Sequence, residues 1–164
     1  MNYRIIKENI REIVSEEELE KFEKAQDKLE RDNYAKTMPS NELFDMCIYF
    51  KILAEAGRKV LFELHLKQAE GEDIKGSQIA AQRQNIARYM TASRFWGGNL
   101  QKRLDEEGKK FNVGIKVKEL MALIISEDKY ENTKSLKTKA IKENKQKLLD
   151  EINEVVGGRE PGEE

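Results

Sequence analysis

Apolar positions recur at helical spacing along most of the chain. Tyr3, Ile6, Ile10 and Ile13 lie three and four residues apart, which lines one side of a short helix. Ser15 and Glu18 have the spacing of a capping box and predict a second helix carrying Leu19, Phe22 and Leu29 on a thin stripe. Residues 1–37 therefore read as a partly exposed helical arm. Met38-Pro39-Ser40-Asn41 interrupts the pattern, because proline disfavours a helical residue before it, and a third helix is expected from Glu42. Over residues 43–66 two adjacent stripes are apolar. One holds Leu43, Cys47, Phe50 and Ala54; the other holds Met46, Tyr49, Leu53 and Ala56. A helix apolar on so many sides is a buried one, so this is the expected core element, with Gly57 as a candidate kink and Gly71-Glu72-Asp73 as its end.

Ser77 can cap a fourth helix running to about Phe95, with Ile79, Ile86 and Met90 as its core line and Gly97-Gly98 as its stop. Asn99 would then cap a short helix bearing Leu100 and Leu104 and ending at Gly108. Phe111, Val113, Ile115 and Val117 alternate with Asn112, Gly114 and Lys116, a period of two that predicts an extended segment. Residues 120–125 read as buried helix, 126–132 as a loop, and 135–156 as a final amphipathic helix on Ile141, Leu148, Ile152 and Val155. The expected fold is mainly all-α: a single domain over residues 1–156 with about six helices, at most one short β-hairpin or extended segment near 109–118, and a disordered tail over 157–164.

Composition narrows the function classes. At 164 residues the chain fits one domain of ordinary size. The most apolar stretch is broken by Asp45, Lys51, Glu55, Arg58, Lys59 and Glu63, so no membrane span is expected. Residues 1–9 lack the basic and apolar regions of a secretory signal, and the single cysteine, Cys47, permits no internal disulfide; both favour a cytoplasmic setting. With one histidine, His65, no Cys/His metal cluster can form, and no catalytic or cofactor signature is present. The reading is of a non-enzymatic protein with neither metal nor cofactor.

Charge carries the strongest functional signal. A net charge of −1 conceals a partition, because residues 74–118 hold 10 basic and 3 acidic side chains while both flanks are acidic. Such a block is where a polyanion would sit. Arg83 and Arg94 are eleven residues apart, three helical turns, and so project from one face. The expected nucleic-acid-binding set is Gln82, Arg83, Asn85, Arg94, Trp96, Lys102, Arg103, Lys109, Lys110 and Lys116. The amides would read base edges, Trp96 would stack on bases, and the cations would neutralise phosphates. The order of helix, glycine-containing connection, helix ending in Leu100-x-x-x-Leu104-x-x-x-Gly108 and basic alternating segment resembles a winged helix-turn-helix. That resemblance implies a second helix in the major groove and a phosphate-contacting hairpin. It covers only the central part of the chain.

Other readings compete. The cations can pair with carboxylates of residues 19–32 and 70–73, giving a salt-laced helical body. The chain can be an adaptor or inhibitor that binds another protein through its terminal apolar seams, or masks a nucleic-acid-binding surface with its acidic arm. Self-association would cover the thin stripes at both ends. Arg58 and His65 are seven residues apart on one helix face, a spacing similar to that of small helical ribonucleases of the HEPN class, which would imply RNA cleavage in a dimer. The plainer reading is helical ion pairing among Glu55, Arg58, Lys59, Glu63 and Lys67. Cys47, between apolar neighbours, reads as a core thiol.

Overall fold

The computed structural model describes residues 28–130 and 136–157. Five helices follow in order: α1 (Lys28–Thr37), α2 (Ser40–Ala69), α3 (Gly76–Glu106), α4 (Val113–Tyr130) and α5 (Leu136–Val156). The fold is mainly all-α, and no strand occurs among the described residues. Of the helical arm expected over residues 1–37 only the stretch from Lys28 is described, as α1, and of the tail expected over 157–164 only Gly157; the rest lies outside the described residues.

Pro39 separates α1 from α2. It has φ −58 at the N-cap of α2 and forms no side-chain cap bond there. Gly71, Gly108 and Gly157 follow the C-termini of α2, α3 and α5 with φ of 90, 71 and 72. A residue without Cβ adopts this left-handed conformation at no steric cost, so each glycine stops its helix cleanly. The turn after Gly71 leads to Lys75, whose backbone N–H donates to Gln78 Oε1 at 3.1 Å and starts α3.

Helices α2 and α3 form a long antiparallel hairpin; at 30 and 31 residues each runs about 45 Å. Cys47 meets Ser93, whose hydroxyl donates to the Cys47 carbonyl at 2.8 Å. Lys51 Nζ donates to Met90 Sδ at 3.6 Å, and Gln82 Nε2 donates to the Gly57 carbonyl at 3.0 Å. These contacts fix one register along the pair. In its lower half the hairpin is core, with Leu43, Met46, Ile48, Ile52, Leu100 and Leu104 essentially inaccessible. Helices α4 and α5 form a second antiparallel hairpin that closes this core with Val113, Val117, Leu120, Ile124, Leu148, Ile152 and Val156. Lys116 pairs with Glu151 near one end of the α4–α5 hairpin and Glu127 pairs with Lys145 near the other.

Beyond Gly57 the character changes. No residue of α2 from Arg58 onward is buried, and between Gly76 and Ala92 only Ile79 is. The upper half of the hairpin therefore leaves the core as a two-helix arm. About 12 residues of α2 take part, which corresponds to about 18 Å.

Three local expectations are overturned. Gly97-Gly98 does not end a helix, and Asn99 caps nothing. Helix α3 passes through all three, and Asn99 Nδ2 donates back to the Phe95 carbonyl at 2.8 Å. Gly97 is small because a partner needs the space: a Cβ there would lie 2.9 Å from Cys47 Sγ. The segment near 109–118 is not extended from Val113 onward. Asn112 Oδ1 accepts the Ile115 N–H at 3.0 Å, caps α4, and sets Val113, Val117, Leu120 and Ile124 on one buried stripe. Finally, α4 continues through residues 126–130, where a loop is expected from the sequence.

Candidate nucleic-acid interface

The basic block divides into cations consumed by the fold and cations left to solvent. Arg103 belongs to the first group. Its Nη1 donates to the Met38 carbonyl at 2.6 Å and to Ser40 Oγ at 3.3 Å, while Nη2 reaches the Ala35 carbonyl at 2.9 Å. The guanidinium thus satisfies the terminal carbonyls of α1, which have no partner within their own helix. Lys109 does the same for α5, donating to the Val155 carbonyl at 2.8 Å and pairing with Glu107 at 3.1 Å. Lys116 is held by Glu151 at 2.9 Å and Glu119 at 3.4 Å, and the Glu151 hydrogen bond raises its pKa above 10.5.

The expected base-reading groups are also occupied. Gln82 is committed to Gly57, and Asn85 Oδ1 accepts from Arg88 Nη2 at 3.1 Å. Trp96 is 2% exposed and sits edge-on to Phe95 with ring centroids 4.9 Å apart, so it is a core plug and offers no stacking face. Phe95 in turn carries the Arg31 guanidinium 5.3 Å from its centroid, which ties α1 to α3.

Arg83, Arg94, Lys102 and Lys110 remain exposed, and none has an ion-pair partner among the described residues. They do not form one patch. Arg83 and Arg94 share a face of α3, whereas Lys102 is rotated about 80° from Arg94 and Arg103 about 180°. The face of Arg94 opens onto a groove of about 780 Å³ between α2, α3 and the first turns of α4. Lys51, Arg94 and Lys118 line it, with Asp105 as the only carboxylate among the described residues. Gln101 Nε2 donates to that carboxylate at 2.9 Å and to the Phe111 carbonyl at 2.8 Å, and its Oε1 accepts the Val113 N–H at 2.8 Å. Gln101 therefore joins the end of α3 to the start of α4.

Two contributors escape a reading of the sequence in segments. Lys51 comes from α2, outside the basic block, and joins the face only because the hairpin register brings Met90 beside it. Phe62 lies on the arm and is 63% exposed. Its signal in the sequence is an apolar residue between Leu61 and Glu63, after the dense stripes of α2 have ended. Arg58 pairs with Glu55, its Nη2 lies 3.8 Å from Met90 Sδ, and His65 is exposed. No group of three His, Cys, Asp or Glu able to hold a metal occurs among the described residues, and no helix there is long and apolar enough to cross a membrane. No protein-family model, curated protein or solved structure matches this chain.

Proposed function

We propose that this protein associates with nucleic acid, acting as a small regulatory or accessory factor that holds a single strand along the α2–α3 face. The observation that carries this reading is the pair Arg83 and Arg94, exposed on one side of α3 without an ion-pair partner among the described residues, in line with the groove cations Lys51 and Lys118. Eleven residues of helix separate the two arginines by about 16 Å, a few nucleotides of an extended strand. Phe62, on the same arm, supplies an exposed ring of the kind on which bases stack.

The occupied state of Gln82 and Asn85 favours contacts to phosphates over base edges, hence weak dependence on sequence. A single strand is favoured over a duplex because α3 shares its cationic side with α2, and two packed helices are wider than a major groove of about 12 Å. Four phosphate contacts give a log-log salt slope of about −3 on a single strand. The test is fluorescence anisotropy of a labelled oligonucleotide across a salt series, with the wild type and an Arg83→Glu/Arg94→Glu variant. The variant should lose binding and keep its circular dichroism spectrum, since both side chains are exposed.

A second reading rests on Phe62, Leu66 and Val60, which are 63%, 46% and 44% exposed on the arm. Such apolar exposure also suits an adaptor or inhibitor that binds another protein. No retardation of single strand or duplex at low salt moves the assignment there.

A further inference from the structure

The groove at the base of the arm is shaped differently from the open face that leads to it. Three elements bound it: α2 through Lys51, α3 through Met90 and Arg94, and the start of α4 through Val113 and Lys118. A strand running along α3 from Arg83 toward Arg94 meets α4 at the far side. We infer that this groove is a subsite for a terminal phosphomonoester, the phosphorylated end of a nucleic-acid strand, a reading that rests on the strand-binding function above.

Charge stoichiometry supports an end over an internal position. An internal phosphodiester carries one negative charge, whereas a terminal phosphomonoester carries about −1.5 to −2 near neutral pH and presents three acceptor oxygens. Lys51, Arg94 and Lys118 are three cations without a carboxylate partner among the described residues. Asp105, the one carboxylate of the lining among those residues, accepts from the neutral Gln101 amide and keeps its charge, so the groove carries a net charge of about +2, which matches a phosphomonoester rather than a phosphodiester. Lys51 is only partly exposed, and a thioether is its hydrogen-bond partner, so an anion at the groove would supply compensation that the fold withholds. The apolar part of the lining, Met90 and Val113 with Val117, suits the sugar and base that follow the phosphate. Gly98 lines the groove, and a Cβ there would meet nothing within 4 Å, so a large side chain at this position extends into the groove's open space.

The experiment uses the full chain and four fluorescent oligonucleotides of one sequence, with and without a phosphate at the 5′ end or at the 3′ end. One phosphorylated end should bind about tenfold tighter than its hydroxyl counterpart, the equivalent of one charge-assisted hydrogen bond. Gly98→Leu, which fills the groove and replaces a helix-breaking residue, should erase that preference while the hydroxyl strand keeps its affinity; Lys51→Met should erase it too, and should also weaken the hydroxyl strand by the loss of one phosphate contact. Titration with AMP separates the two sources of this chemistry. AMP binding that disappears in Gly98→Leu assigns the groove to free nucleotide, and a preference seen only on the strand assigns it to strand ends; both uphold the site. Equal affinity for all four strands with no AMP binding, or a preference that survives Gly98→Leu, overturns the inference and leaves strand binding standing. Failure of every strand and of AMP to bind overturns both.

Discussion

Adjacent glycines in α3 should respond to the same substitution with opposite signs. An alanine in a helix interior is favoured over glycine by about 0.8–1 kcal/mol. At position 98 nothing stands within 4 Å of the new Cβ, so Gly98→Ala should realise that gain. At position 97 the same atom would sit 2.9 Å from Cys47 Sγ. The sulfur has little room to retreat: Cys47 is buried, its Sγ lies 3.5 Å from Ser93 Oγ, and its carbonyl accepts from that hydroxyl. Overpacking of this kind costs about 1–3 kcal/mol, which outweighs or cancels the helical gain. The two variants should therefore differ by about 1–3 kcal/mol in stability, or by several degrees in melting temperature at about 2–4 °C per kcal/mol for a chain of this size. Urea titration and calorimetry of both variants give the difference directly. Adding Cys47→Ala to Gly97→Ala removes the obstructing sulfur, and the pair should then be more stable than the sum of the single changes predicts. If Gly97→Ala is as stabilising as Gly98→Ala, the close approach of α2 and α3 at this point is wrong.

Three further outcomes follow from side chains already placed. Trp96→Ala should cost about 3–5 kcal/mol by urea titration, in keeping with a buried aromatic; unchanged stability with weakened single-strand affinity would restore it as a stacking platform. Arg103→Ala strips α1 of its terminal partners and should cost about 1.5–3 kcal/mol, with faster proteolysis near residues 35–38; a protease pattern like that of the wild type would contradict the capping role. Burial raises the Cys47 thiol above 9.0, so the folded chain keeps its proton after the unfolded chain has lost it. That contribution is complete below pH 9 and is lost as pH rises through the folded value. The stability advantage of wild type over Cys47→Ala should shrink above pH 9, and an advantage constant with pH would refute it.

The sequence made legible what depends on local periodicity. The crowded stripes over residues 43–56 mark the core segment of α2, Gly71 marks its end, and Leu148 and Ile152 mark the buried line of α5. It misled where a partner distant in sequence decides the outcome. Gly97 reads as a stop until Cys47, fifty positions earlier, is seen to occupy the space of its side chain. Val113 and Val117 satisfy both a period of two and an i, i+4 spacing, and the choice falls to the Asn112 cap. The candidate interface shows the same division. Periodicity placed Arg83 and Arg94 on one face, but a count of charges by segment cannot tell an arginine that binds a helix end, such as Arg103, from one facing water. Nor can it see Lys51 arrive from another helix.

The arm beyond Gly57 has a thermodynamic consequence. Its two helices are held together by a narrow seam in which Ile79 is the one buried residue of α3 before Ser93, so little apolar surface resists their separation. Amide protons near the 70–75 turn should exchange through local opening at a small fraction of the free energy needed to open the body. Protection should climb steadily along both helices toward Leu43 and Leu104. The hairpin is thus a single pair of helices with two stabilities, and its tip can part and re-form while the packed base stays closed.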